Sequence, residues 1–254
     1  MRFEAIKETV KGVPYISVQN ARYLYDLIVS ERLTRILELG IAHGTATCYM
    51  AAALEEIGGG AITSVDLLQT ELEFQPTPEE QLARANLSQF VRIVRMQTGY
   101  AWFLHDEIKR LTENDSCAPE YDLCIIDGPK NWTIDGLAFF LVDKLLNENG
   151  VIIFDDYRWT YSEASNRREE TDGITHRSLS EAERVIPHVR EIFELLVKQH
   201  PNYSHFYRID DWAIARKIAS PEKVYTIVHR ETFPSMLASI MVHVKRRAKK
   251  LIGT

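Results

Sequence analysis

The chain has 254 residues and 45% hydrophobic content, enough for one large domain, or one domain with appendages, that buries a full core. Its net charge of −6 excludes general nucleic-acid binding, which needs a basic footprint. Three cysteines, Cys48, Cys117 and Cys124, stand at no motif spacing, which argues against a disulfide framework and for a reducing, cytoplasmic setting. No apolar run reaches the ~18 residues of a bilayer span. The charged start Met1-Arg-Phe-Glu4 predicts no signal peptide.

Taken in chain order, Arg35–Leu39 is a predicted strand that runs into a turn with Gly40 and Gly44. A small-residue helix follows at Thr45–Ile57, then a strand at Ala61–Val65 that ends in Asp66. Next come a helix over Pro78–Phe90, a strand over Val91–Met96 and a helix over Ala101–Leu111. The pattern repeats with a strand at Tyr121–Ile126, a helix at Thr133–Leu146 and a strand at Val151–Phe154. The central strands are nearly all apolar, as strands buried on both faces are. Such alternation predicts a doubly wound α/β sheet, mostly parallel, with helices on both faces.

After Phe154 the pattern changes. Tyr157–Arg177 is polar, charged and aromatic without a period, and reads as a long loop or lid, mobile without ligand. Ser180-Glu-Ala-Glu183 has the form of a capping box at a further helix start. Tyr203–Ile209 and Trp212–Arg216 flank Asp210-Asp211 and predict a hairpin that closes a seven-stranded sheet. From Pro221 the chain looks helical and ends basic, Lys245 to Lys250. Residues 1–220 are therefore read as one domain and 221–254 as a helical extension. Such an extension packs on the domain or on a second subunit of a homo-oligomer, or docks to a membrane or partner.

Ile36 to Thr45, read with Asp66, has the layout of a nucleoside-binding turn. Glycines let the backbone approach a ligand, the helix N-terminus offers free N–H groups, and a strand-tip acid accepts from ribose hydroxyls. Gly40 and Gly44 fit the three-glycine dinucleotide pattern poorly, which disfavours a pyrophosphate. The same turn also occurs for packing alone. His43 lies within it, facing a ligand or bonded to backbone. Three more carboxylates, Asp127, Asp155 and Asp156, fall at the ends of neighbouring strands, where an open α/β sheet has its crevice. Such groups repel unless a cation joins them, and hard oxygen ligands suit Mg²⁺. The alternative is a helix cap plus solvated loop acids. Lys130 follows Asp127 by three residues, as a base whose pKa a metal and an apolar wall would lower, or as a solvated lysine. His176, from the lid, is the other candidate base. Trp132, Tyr157, Trp159 and Tyr161 wall a pocket or pack beneath the lid.

These residues resemble the class I S-adenosylmethionine-dependent methyltransferases. Glu38-Leu-Gly40 through Gly44-Thr45 is similar to the family's first motif, with Asp66 as its ribose-binding acid. Asp127-Gly-Pro-Lys130 with Asp155-Asp156 resembles the cation-dependent O-methyltransferases, among them catechol O-methyltransferase and the macrocin-type sugar O-methyltransferases. The resemblance covers roughly residues 33–157. It implies a Rossmann-like methyltransferase fold, S-adenosylmethionine as cofactor and Mg²⁺ held by Asp127, Asp155 and Asp156, with Lys130 as base. It also implies cofactor contacts from Glu38, Gly40, His43, Gly44, Thr45, Asp66 and Asp127, with Gly99 and Tyr100 beside the adenine.

The expected function is Mg²⁺-assisted methyl transfer to a hydroxyl of a small polar molecule, a sugar or natural-product acceptor. Alternatives are a metal-independent N- or O-methyltransferase of the same fold, an NAD-dependent dehydrogenase, or a non-enzymatic module. The missing third glycine and the carboxylate cluster count against the dehydrogenase.

Overall fold

The structure is a computed structural model that describes residues 2–163 and 171–219. The central part of the expected lid, 164–170, and the whole extension 221–254 with its basic end lie outside the described residues. The described residues belong to one compact unit, Met1–Ala219. Among them no helix is long and apolar enough to cross a membrane.

Seven strands form one sheet: β1 Arg35–Leu39, β2 Ala61–Leu67, β3 Val91–Met96, β4 Tyr121–Ile126, β5 Leu146–Phe154, β6 Tyr203–Ile209 and β7 Trp212–Lys217. Their order is 3-2-1-4-5-7-6. The first five run parallel, and β7 pairs antiparallel with both β5 and β6. The expected doubly wound, mostly parallel seven-stranded sheet is the one observed. The chain crosses from one half to the other between β3 and β4, so the carboxyl ends of β1 and β4 sit side by side at the switch point.

Helix α1 (Arg2–Thr9), α2 (Val18–Glu31), α3 (Thr45–Ile57) and α4 (Pro78–Ala85) are followed by α5 (Tyr100–Leu111) and α6 (Trp132–Leu145). One core layer packs Phe3, Ile6, Leu24, Ile28 and Met50 with the inward residues Ile36 and Ile153. The opposite layer packs Phe103, Phe139 and Phe193 with Leu37 and Phe154. Each central strand thus buries alternate residues in alternate layers, as the period of two requires.

The structure differs from the sequence reading at several points, among them β5, which begins at Leu146 where a helix end was expected and runs through residues 147–150. Helix α1 and helix α2 carry no expectation, although Ser17 caps α2 through its hydroxyl. Strand β2 runs to Leu67, so Asp66 is a paired strand residue opposite Arg95. The helix expected over Pro78–Phe90 stops at Ala85, because Asn86 takes the left-handed region (φ 56°) and a 3₁₀ turn follows at Ser88–Phe90. The hairpin at Asp210-Asp211 and the capping box of Ser180 with Glu183 are present.

Candidate active site

The glycine turn is built by close contact between segments of the chain. Gly40 has φ 96°, and a Cβ there would lie 2.1 Å from the Asp127 carbonyl oxygen. Gly44 has φ 74°, and a Cβ there would lie 2.6 Å from Pro78 Cβ, on the first turn of α4. Both positions demand glycine for packing, whatever else approaches them. Asp66 Oδ2 accepts from the amides of Ile41 (2.9 Å) and Ala42 (3.0 Å), and Oδ1 accepts from Leu67 N (2.7 Å). Ala42 sits at φ 47°, so the carboxylate holds a strained turn in place. Three of the roughly four acceptor sites of Asp66 are thus taken within the chain.

Glu38 is also internal. It is 2% exposed, and its Oε2 accepts from Ser64 Oγ (2.6 Å) and Thr47 Oγ1 (2.8 Å). Burial pushes its carboxyl up to about 8 against those two hydrogen bonds, with Asp127 and Asp66 adding repulsion. His43 bonds the Pro76 carbonyl through Nδ1 (3.0 Å), so that nitrogen carries the proton. Its ring stacks on Tyr15 and meets Phe74 edge-on. Tyr100 is buried, hydrogen-bonds Asp135 and packs over Gly128, so its side chain belongs to the core.

Two features of this half remain available to a ligand. The Thr45 hydroxyl, at the N-terminus of α3, is buried without a hydrogen-bond partner among the described residues. Gly99 (φ 91°) faces open space, since a Cβ there would meet only Leu67 Cδ2 at 4.0 Å.

The carboxyl ends of β4 and β5 bring Asp127, Asp155 and Asp156 together, with one oxygen of each within 4.8 Å of the others. Lys130 reaches into the group: its Nζ donates to Asp127 Oδ1 and to the Gly128 carbonyl (2.8 Å), and lies 3.6 Å from Asp156 Oδ2. Asp156 (φ 57°) and Lys130 (φ 60°) are both held in the left-handed region, a cost that surrounding structure must impose. Burial raises all three carboxyls, against the lowering effect of Lys130. Asp155 reaches about 7, with repulsion from Asp127 as the next cause. One ammonium among three carboxylates leaves excess negative charge in a partly buried place. That donor set fits a divalent cation.

Lys130 departs from its expected state. Burial would lower its pKa, but Asp127, Asp156 and Asp155 outweigh burial and hold it charged. His176 is exposed at φ 73°, and among the described residues no hydrogen bond or ion pair ties it to the cluster. Of the four aromatic candidates, Tyr157 and Tyr161 are buried, and Tyr161 donates to the Pro129 carbonyl (2.8 Å). Trp132 is exposed and Trp159 is half-buried.

The sequence reading missed what fixes the loop after β4. Asn131 caps α6 through Oδ1, its Nδ2 donates to the Thr171 carbonyl (2.6 Å), and its amide donates to Asp135 Oδ2 (2.7 Å). Both Asn131 and Asp135 are 1% exposed. An asparagine just before a helical run was the available signal.

The family described as a methyltransferase domain matches residues 37–157, from β1 to the residue after Asp156. No curated protein matches the chain. Solved structures match its fold. An O-methyltransferase from Bacillus cereus, in complex with SAH, is 18% identical, with 86% of this chain and 90% of that chain covered and a TM-score of 0.58. The O-methyltransferase TomG from Streptomyces achromogenes, involved in tomaymycin synthesis and in complex with SAM, is 16% identical over 86% and 90%, with a TM-score of 0.58. A putative caffeoyl-CoA O-methyltransferase from Staphylococcus aureus is 22% identical over 85% and 91%, with a TM-score of 0.57. The domain match and the shared fold bear out the resemblance to the class I S-adenosylmethionine-dependent methyltransferases and the enzyme class expected from it.

Proposed function

We propose that this methyltransferase moves a methyl group from S-adenosylmethionine to a hydroxyl of a small polar acceptor, a sugar or a natural product, with Mg²⁺ held by Asp127, Asp155 and Asp156. The observation that carries the reading is the convergence of those three carboxylates within 4.8 Å at the carboxyl ends of β4 and β5. When bound, the cation supplies acidity and a fixed position to the acceptor oxygen, and the sulfonium supplies the methyl group.

The chain's own residues divide the remaining work. The Thr45 hydroxyl and the open space at Gly99 offer the cofactor a polar contact and room for its flat base. Asp66 keeps one acceptor site for a ribose hydroxyl while its others hold the turn. Lys130 is the assigned base. Were a cation held by Asp127 and Asp156, their charge would no longer favour the ammonium, and burial would favour a neutral Nζ able to take the hydroxyl proton. Asn131 positions Lys130 by fixing the loop that carries it. His176 has no role in this assignment.

The test is transfer of a labelled methyl group to a panel of hydroxylated acceptors, with and without EDTA. Transfer to oxygen that stops on chelation and returns with Mg²⁺ is the expected result. Full turnover after exhaustive chelation favours the metal-independent reading instead.

A further inference from the structure

We propose that a cleft at the outer edge of the sheet is a second binding site, one for an aromatic anion: a carboxylate or phosphate carried on a planar ring. The cleft encloses about 420 Å³ and lies between β6 and the helical segment that precedes it. That is the size of a small-molecule site. Tyr157 forms its floor, one residue beyond Asp156, so the cleft opens at the same end of the sheet as the carboxylate cluster.

Both walls depart from regular structure. The wall on the helical side, Ile192–Val197, is a π-helix, which carries Phe193 and Glu194. The wall on the strand side is interrupted between Ser204 and Tyr207, where the pairing register shifts and His205 takes φ 53°. A π-turn and a bulge each re-aim side chains and recur beside binding sites. Here they direct Phe206 and Arg208 to the cleft.

The charges are not balanced. Glu194 accepts from Lys198 through both oxygens (2.8 Å each) and from the Tyr157 hydroxyl (2.7 Å), so this carboxylate is fully engaged. Arg208 has no carboxylate within ion-pair distance among the described residues. Its guanidinium lies over the Tyr157 ring at 4.9 Å from the centroid. An arginine stacked on an aromatic face is pre-ordered, and its N–H groups remain free for a carboxylate or phosphate. Phe206 is exposed and provides the apolar part of the wall, backed edge-on at 6.1 Å by the buried Phe193. With Lys198 committed to Glu194, the uncommitted Arg208 beside the exposed ring of Phe206 selects an anion carried on a flat apolar body rather than a cation or a bare ion.

The test is calorimetric titration of the full chain with phenyl phosphate, inorganic phosphate and benzyl alcohol. Phenyl phosphate should bind saturably, and more tightly than either of the other two. Arg208→Gln, an exposed change, should leave thermal unfolding in place and weaken phenyl phosphate about tenfold, the factor of one lost charged hydrogen bond. Glu194→Gln should tighten it, because a negative charge leaves the wall. Absence of saturable binding, equal binding by Arg208→Gln, or inorganic phosphate binding as well as phenyl phosphate would each overturn the site. Repeating the titration with saturating S-adenosylhomocysteine separates the two sources of such a ligand. A changed affinity marks the anionic end of the methyl acceptor itself, and an unchanged one marks a separate small molecule; both support the site. None of these readouts needs methyl transfer, so the site stands or falls apart from the proposed reaction.

Discussion

The two halves of the active-site rim treat their polar residues in opposite ways. Around the glycine turn, Asp66 holds two strained amides, Glu38 is closed in by Ser64 and Thr47, and Gly40 and Gly44 let segments touch. Around the carboxylate cluster, three acids crowd one lysine, their carboxyls are raised, and two residues are held at positive φ. The first half meets most of its polar needs from its own chain, with the Thr45 hydroxyl left over among the described residues. The second leaves three carboxylates around one ammonium. A protein is locally consistent except where function requires otherwise, so the frustrated half is where a ligand is to be sought.

The contrast breaks first at Gly40. Gly40→Ala places a Cβ 2.1 Å from the Asp127 carbonyl oxygen, in a left-handed backbone. Overpacking and strain together should cost about 3–5 kcal/mol in urea unfolding. A loss below ~1 kcal/mol would show that the turn serves a ligand and not packing. Asp66→Ala is next. It strips two amides of their acceptor and should cost roughly 2–3 kcal/mol of stability as well as cofactor affinity. Weakened cofactor binding with unchanged stability would move Asp66 from the satisfied half to the frustrated one.

The opposite sign is expected across the rim. Asp155→Asn removes one of the mutually repelling carboxylates and should stabilise the cation-free protein by on the order of 1 kcal/mol near pH 8, while abolishing Mg²⁺ binding. Equal or lower stability in cation-free thermal unfolding would mean that Lys130 alone already balances the cluster.

Glu38→Gln is read by its pH signature. Folding raises the Glu38 carboxyl from its ordinary 4.5 to about 8. Below pH 4.5 both states are protonated and the group costs nothing. Between pH 4.5 and 8 the unfolded state releases a proton that the folded state keeps, so stability falls as pH rises. The variant should therefore match the parent at pH 4 and exceed it by a margin that widens as pH rises to 8. Parallel stability–pH curves for the two proteins would exclude a buried neutral Glu38.

The sheet was legible because its central strands carry continuous apolar runs, and the site because chemistry-bearing residues stand at strand ends. What each residue does was less legible. The sequence places Asp66 at a strand end but not the amides of Ile41 and Ala42 against its oxygens. It shows Lys130 three residues after Asp127, but not the left-handed backbone that folds its ammonium back among the acids. Asn131 and Asp135 carry no expectation from the sequence, and only the fold shows that Asn131 ties the loop after β4 to Thr171 while Asp135 holds its amide.

The most direct test of the cation site is calorimetric titration of Mg²⁺ into the cation-free protein at pH 6.5 in buffers of different ionisation heat. Asp155 is raised to about 7, so it is largely protonated there and must give up its proton to serve as a ligand. The account predicts saturable binding of one Mg²⁺ per chain, proton release on binding, and loss of both in Asp155→Asn. Absence of binding at millimolar Mg²⁺, or the same isotherm in Asp155→Asn, would contradict it.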